Sequence, residues 1–528
     1  MVAVSTPAKQ HVLAIDLGTS GPKVGVVSLD GRVLGSSFRP VHTFPVGEHG
    51  FEQEPESVWR AVVEASREAL RESGVEAATV SAVICDSHFF SLVCLDHDGQ
   101  PTMNLVVWLD RRGARAHLAE SPQFRADSPW RKLQWLRLHG IPPIDTGIDN
   151  LAKLRWLMYF RPDIYERTAV FLEPMDYLAF RLTGRIAANP CTVFPMQVTD
   201  NRNADDIHYA RRLIGYAGIE AEKLPELTPV DAELGTLTAE AAGALGLSTT
   251  TRVLAGMNDT HAGAIGCGAF RGNHAGLVLG NSGVMMAHAP RKKTDIRTGL
   301  FSMPGPLPGE YLMTGECGVA GRALEHFLEQ IIYAEDAFGA LSPEFSYRQL
   351  EEVVSTSPPG CRGVLFLPWM SGAHMPAVDG QVRGGFLNVS LKTQRADLAR
   401  AVLEGVCFLY RHMGEAGVRF TGRQFTHYTL HGGGALSDTW TQIMADTMGR
   451  PIHRMTQPRL VNCLGLGLMA FHRMELLDLD DMAKRPQVER VFEPAAATRA
   501  LYEDRHAAMA LAFRQNRKLF HALNRDKD

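Results

Sequence analysis

The stretch His11-Val12-Leu13-Ala14-Ile15-Asp16-Leu17-Gly18-Thr19-Ser20-Gly21, resumed by Val24-Gly25-Val26-Val27, decides how the chain is read. An apolar run of strand length enters a turn of Gly and hydroxyl residues and leaves it as a second apolar run, which is a hairpin pattern. Asp30-Gly31 then turns into Val33-Leu34-Gly35, so the chain opens with an antiparallel meander. Half a chain later Ala275-Gly276-Leu277-Val278-Leu279 runs into Gly280-Asn281-Ser282-Gly283 and resumes as Val284-Met285-Met286-Ala287. Leu17–Gly21 and Leu279–Gly283 differ at one position of five. Any tight hairpin favours Gly and Ser; two such turns, each ending a strand and half a chain apart, indicate an internal duplication.

Outward from these turns the pattern is mixed α/β. Val58, Ala61, Val62, Ala65, Ala69 and Leu70 recur at helical spacing over 57–73. Strands are predicted at Val80–Ile84 and Ser91–Leu95, and helices near 151–159 and 173–183. With 528 residues the chain exceeds what one hydrophobic core serves, so two domains of about 200 to 270 residues are expected. The small-residue segment 254–272 marks their boundary. The division is 9–262, 263–485 and a helical tail over 486–528.

Composition narrows the partners. The chain is 45% hydrophobic and 21% charged with a net charge of -4, and no basic face is concentrated enough for nucleic acid. Arg111, Arg112 and Arg115 read as a solvated helix face. Eight cysteines lie singly, without metal-ligand spacing, as in a reducing compartment. The start, Met1-Val2-Ala3-Val4-Ser5-Thr6-Pro7, has no export pattern, and no apolar run approaches the roughly 20 residues of a membrane helix. A cytoplasmic protein is expected.

Gly- and hydroxyl-rich turns leave backbone N–H groups free to face an anion, and two facing turns suit a polyphosphate held between them. Asp16, just ahead of the first turn, suits a hydrated Mg2+. Asp259 lies in Gly256-Met257-Asn258-Asp259-Thr260-His261-Ala262-Gly263 and reads either as a helix N-cap or as a general base. His431-Gly432-Gly433-Gly434-Ala435 is a third cluster, between a strand over 426–430 and a helix over 438–448. Three glycines in a row are costly to order, so either a flat ligand packs on bare backbone or the run is a long turn. There is no Gly-x4-Gly-Lys-[Ser/Thr] loop, and Gly266, Gly268 and Gly272 match a dinucleotide fingerprint only superficially.

Taken in order, these motifs resemble those of the FGGY carbohydrate kinases, relatives of actin, Hsp70 and hexokinase, and the resemblance runs from about Val12 to about Met474. Asp16–Ser20 with Lys23 is similar to the family's first phosphate loop. Phe51–Pro55 with Trp59, Trp108–Arg112, and Asp176–Leu178 with Arg181–Gly184 match further stretches. The resemblance implies two actin-like (ribonuclease H-like) domains, each a mixed five-stranded sheet flanked by helices, with an interdomain cleft.

It also implies roles. Asp259 would be the base, and Asp16 and Asp259 would lie near Mg2+. Gly18, Thr19, Ser20, Lys23, Gly280, Asn281, Ser282 and Gly283 would hold ATP phosphates. Gly321, Glu325, Gly433, Gly434, Ala435 and Asp438 would line the nucleotide site. His88, Phe89, Phe90, Trp108 and Asp110 would face the sugar.

The departures bear on substrate. Phe89-Phe90 stands where the family has Met-His, Ala373-His374 where Glu-Arg is common, Asn281 where Thr is usual, and Asn388 replaces a Gly. A ketopentose such as xylulose is the expected substrate, with gluconate, glycerol or a sugar-like signal molecule as alternatives and a non-catalytic nucleotide-binding regulator as the rival of another class. A homodimer is the expected assembly.

Overall fold

A computed structural model describes residues 10–332 and 347–524. The opening segment 1–7, which carried the expectation of no export signal, lies outside them.

The first sheet contains β1 (His11–Gly18), β2 (Gly21–Ser28), β3 (Val33–Phe38), β4 (Val80–Ser87), β5 (Glu233–Thr236), β6 (Arg252–Leu254) and β7 (Met257–Asn258), with strand order β5-β6-β4-β1-β2-β3 and β7 paired on β4. The second contains β8 (Ala275–Leu279), β9 (Ser282–Ala289), β10 (Thr294–Asp295), β11 (Leu300–Pro304), β12 (Tyr311–Val319), β13 (Tyr428–His431), β14 (Ile452–Met455) and β15 (Val488–Phe492), in the order β10-β11-β12-β9-β8-β13-β14-β15.

Five strands of each sheet correspond. In β3-β2-β1-β4-β6 and in β12-β9-β8-β13-β14 the first three strands are antiparallel, and the last two join in parallel. The duplicated turns occupy the same β1/β2 and β8/β9 positions. The sheets are wider than the five strands expected, seven and eight, because short edge strands are added to each duplicated core.

Helix α1 (Pro55–Ser73) starts with Pro at its first position, where a missing N–H costs nothing, and ends at Gly74 in the left-handed region. Its buried Val58, Trp59, Val62, Ala65 and Ala69 cover the first sheet. Between the two sheets cross α2 (Asp259–Gly266) and, later in the chain, α6 (Val461–Arg473). A Cβ on Gly465 would lie 1.9 Å from the Ala262 carbonyl oxygen, and one on Gly266 would lie 2.0 Å from that of Val461. Only glycine permits this backbone contact. Helix α6 follows second-domain strands in sequence, yet Cys463 packs on Gly25 and Gly467 on Val27 of the first sheet. One apolar cluster therefore joins Val12, Ala14 and Ile84 to Ala262, Ile265, Met286 and Leu466.

The second sheet is covered by α3 (Gly321–Phe327), α4 (Arg395–Thr421) and α5 (Asp438–Met448). Helix α7 (Arg499–Leu523) departs from the appended tail expected over 486–528. Tyr502, Met509 and Phe513 are buried in the second domain's core, Phe513 packs edge-on against Trp369, and β15 extends the second sheet. No described helix is long and apolar enough to cross a membrane.

Candidate active site

The ends of β1, β4 and β7 bring three carboxylates together. Asp16 pairs in parallel register with Asp86, and Met257 and Asn258 pair with Asp86 and Ser87, so Asp259 follows directly at the start of α2. Asn258, not Asp259, is the N-cap: its side chain accepts from the His261 N–H. This removes the capping alternative and leaves the Asp259 carboxyl free of that role, half-buried, with Thr260 Oγ1 donating to it at 3.2 Å.

Lys23 Nζ donates to Asp16 Oδ2 at 3.2 Å, and Asn462 Nδ2 lies 3.5 Å from Oδ1. Asp16 therefore holds the Lys23 ammonium above its ordinary value. Asp86 is fully buried, lies side by side with Asp16, and receives a hydrogen bond on neither oxygen. Burial, then the charges of Asp16 and Asp259, push its carboxyl well up. Burial first, then Asp16, raises Asp259 to about 6. Asp16, Asp86 and Asp259 do not close into a three-ligand cage; among the described residues only His412, Glu415 and His506, elsewhere, bring three ligand atoms within 4.8 Å of one another.

Thr19 is held from behind. Trp108 Nε1 donates to Thr19 Oγ1 at 2.7 Å, and Gln53 Nε2 donates to the Thr19 carbonyl at 2.7 Å. Gly18 is half-buried and Ser20 exposed. In the second loop the Gly321 N–H donates to the Gly280 carbonyl at 2.8 Å, and the Ala320 and Arg322 N–H groups donate to the Asn281 carbonyl at 2.9 and 3.2 Å. Asn281 is exposed, Ser282 half-buried and Gly283 buried. Glu325, a turn further along α3, pairs with Arg322 at 3.1 Å.

The Gly432–Gly434 run serves the protein itself at two of its three positions. Cβ atoms would come within 2.7 Å of the Leu279 carbonyl oxygen at Gly432 and 2.5 Å of Leu279 Cγ at Gly434, whereas Gly433 faces open space. Ala435 is buried beneath. The glycines thus seat the start of α5 against the root of the second loop. Asp438 is engaged by the guanidinium groups of Arg454 and Arg490.

Of the residues expected to face the sugar, Asp110 turns inward. It is fully buried and accepts from Phe51 N, Arg112 N and Arg112 Nε at 3.0, 2.9 and 2.8 Å, which fastens a loop. His88 shares a 2.7 Å hydrogen bond between Nδ1 and Ser91 Oγ, while its buried Nε2 has no partner. Burial lowers it to about 4, so the ring is neutral. Phe89 stacks on Phe194, which in turn stacks on Phe301 of the second domain, at 6.1 and 5.8 Å between centroids. Phe90 adopts a left-handed φ of 59°, uncommon for a bulky residue, and its carbonyl accepts from the buried Lys153 Nζ at 3.0 Å.

Asp86, Asn462, His431 and Lys153 escaped the sequence reading. Asp86 carried a signal, a charge ending the buried run Val83-Ile84-Cys85, and His431 headed the glycine cluster. Asn462 and Lys153 carried none, since each is brought in by a helix remote in sequence.

The models of the FGGY family of carbohydrate kinases match at residues 11–266 for the N-terminal domain and 275–474 for the C-terminal domain. A xylulose kinase of Staphylococcus epidermidis is 26% identical, with 97% of this chain and 98% of that protein covered. An autoinducer-2 kinase of Klebsiella pneumoniae is 26% identical, with 94% and 92% covered. The ligand-bound xylulose kinase structure from Lactobacillus acidophilus superposes with a TM-score of 0.84 at 20% identity, covering 97% of this chain and 99% of that one. The Plasmodium falciparum glycerol kinase structure with ADP gives 0.78 at 17% identity, with 96% and 98% covered, and likewise speaks for the fold. With both halves matched in order and a duplicated sheet in each, the chain belongs to the FGGY family of carbohydrate kinases, which are sugar phosphotransferases.

Proposed function

We propose that the protein phosphorylates a hydroxyl of a ketopentose, xylulose before others, from Mg-ATP, with Asp259 as general base. The observation that carries this is Asp259: half-buried, not used as a cap, and raised to about 6 beside the Asp16–Lys23 pair. A carboxyl so tuned accepts a proton near neutral pH. Asp259 takes the proton of the attacking hydroxyl and aligns its oxygen. Lys23 donates to a phosphoryl oxygen, and the turns at Gly18–Ser20 and Gly280–Gly283 flank the phosphates. Trp108 keeps Thr19 in place.

The donor set suits Mg2+: hard carboxylate oxygens at Asp16, with the orphaned oxygens of Asp86 beside them. When bound, the ion supplies charge neutralisation at the phosphates. Nucleotide fits against the open backbone at Gly433, with Gly321, Gly434 and Ala435 shaping the floor.

Xylulose is favoured because curated relatives covering nearly the whole chain are xylulose kinases. A sugar-like signal molecule is the second reading, favoured by the aromatic wall of Phe89, Phe90 and Phe194 and by the autoinducer-2 kinase relatives. A coupled ADP-release assay over ketopentoses, gluconate, glycerol and the autoinducer decides between them. D-xylulose is expected to give the highest kcat/KM; absence of turnover with every acceptor would sink the reading.

A further inference from the structure

The second domain holds a group of metal-ligating side chains that the kinase reading does not use. Helix α4 carries His412 and Glu415, and α7 carries His506. A spacing of three puts His412 and Glu415 side by side on one face of α4. Tyr502 and His506, four apart on α7, both turn to that helix. The Tyr502 hydroxyl is met by Arg400 at 3.1 Å and donates to Glu404 at 2.9 Å. One turn further along, His506 meets the ring of His412 and the carboxylate of Glu415 instead.

His506 Nε2 and His412 Nδ1 face each other at 2.9 Å, while Glu415 Oε1 stands 3.8 Å from His506 Nδ1, too far for a hydrogen bond. With one nitrogen taken from each ring and one carboxylate oxygen, three donor atoms lie within 4.8 Å of one another. Donors on a tetrahedral zinc ion with bonds of about 2.1 Å stand about 3.4 Å apart, so the facing nitrogens need part by only about 0.5 Å while the exposed Glu415 swings in. Both rings are buried and uncharged. Burial, then His506 and Arg411, lowers His412 to about 3, and burial, then Arg411, lowers His506 to about 4. Neutral imidazole is the form that binds metal.

The donor set selects the ion. Two imidazoles and one carboxylate suit Zn2+ and its neighbours in the transition series, whereas Mg2+ and Ca2+ call for a shell of oxygens. Besides Glu415, the charges around the group are Arg419 and Arg411, which pairs with Glu415 at 3.3 Å and donates to the Thr447 carbonyl at 3.2 Å. With two arginines against one carboxylate the field offers little to a hard cation, so binding rests on the nitrogen donors. The exposed Glu415 gives the ion a way in from solvent.

We propose that His412, Glu415 and His506 form a zinc site that fastens the C-terminal helix α7 to α4. None of the three is among the residues assigned to sugar, nucleotide or Mg2+, so the site stands apart from the kinase reading. An ion held there stabilises the folded chain more strongly the further its free concentration exceeds its Kd.

The test is Co2+ binding to the metal-stripped full-length protein in excess Mg2+, which fills carboxylate sites and leaves imidazole sites open. One Co2+ per chain is expected, with the visible absorption of an imidazole-bound ion, and Zn2+ is expected to displace it and to raise the melting temperature. Even a group that only supports a metal ligand is worth about tenfold or more in affinity, so Glu415→Gln, an exposed change, is expected to weaken Zn2+ by at least that. His506→Gln is expected to abolish both the one-to-one binding and the thermal shift. If His506→Gln misfolds, Glu415→Gln decides alone. A parent protein that takes up no Co2+ in Mg2+ overturns the proposal. So does Zn2+ affinity unchanged in Glu415→Gln, which would place the ion on other histidines.

Discussion

Trp108 Nε1 donates a 2.7 Å hydrogen bond to Thr19 Oγ1, tying the segment expected to face the sugar to the loop expected to face the phosphates. Gln53 Nε2, at the end of the strand Gly50–Gln53, donates to the carbonyl of the same residue, so Thr19 is braced from two separate segments of its own domain. A neutral hydrogen bond contributes about 0.5–1.5 kcal/mol net. Trp108→Phe is therefore expected to lower kcat/KM about two- to tenfold with the fold intact. Steady-state kinetics with both substrates varied would check it, and unchanged constants would mean the contact does not steer the loop.

Asp259→Asn keeps the side chain's size and removes its basicity. Turnover should fall about 10^2- to 10^4-fold, the usual contribution of a positioned base, while sugar binding measured by calorimetry stays within a few-fold of the parent. Near-parental turnover would show that another group accepts the proton.

Neighbouring glycines should behave oppositely. Gly434→Ala forces a methyl to within 2.5 Å of the buried Leu279 Cγ and is expected to cost about 1–3 kcal/mol of stability, by overpacking. Gly433→Ala meets open space and should leave the melting temperature unchanged while raising the KM for ATP. Thermal melts and ATP titrations separate the two; a destabilised Gly433→Ala would contradict the geometry.

His139 gives the stability a pH dependence of known sign. It is fully buried, its Nε2 meets the Phe194 carbonyl at 3.0 Å, and burial lowers it to about 3. The unfolded chain protonates this ring near pH 6.5 and the folded one does not, so its contribution is lost as pH falls below that value. His139→Gln lacks this term. Its deficit in stability relative to the parent should shrink by up to about 1.4 kcal/mol per pH unit between pH 6 and 4, as read by urea unfolding. A constant gap across that range would place the proton elsewhere.

The duplicated architecture was legible because hairpins announce themselves locally: Leu17–Gly21 and Leu279–Gly283 carry their turn chemistry within five residues, and both sit where predicted. Edge strands were not legible. β7 and β10 are two residues long and exist only because a neighbouring strand offers unpaired backbone groups. The tail helix was visible as a helix, but Tyr502, Met509 and Phe513 showed nothing of the core they enter until Glu404 and Trp369 were brought to meet them.

The same division holds at the cleft. The sequence by itself determined the chemistry on offer: a Gly-hydroxyl turn at each domain's first hairpin, and aspartates at positions 16 and 259 beside small residues. Only the tertiary structure decided how these are used. It turned Asp110 inward to Arg112, paired Asp438 with two arginines, and set Asp86 bare beside Asp16. The physical reason is that a carboxylate's role depends on which donors reach it and how much water remains. Those are properties of strand register and of helices packed from several hundred residues away, as Asn462 is on Asp16.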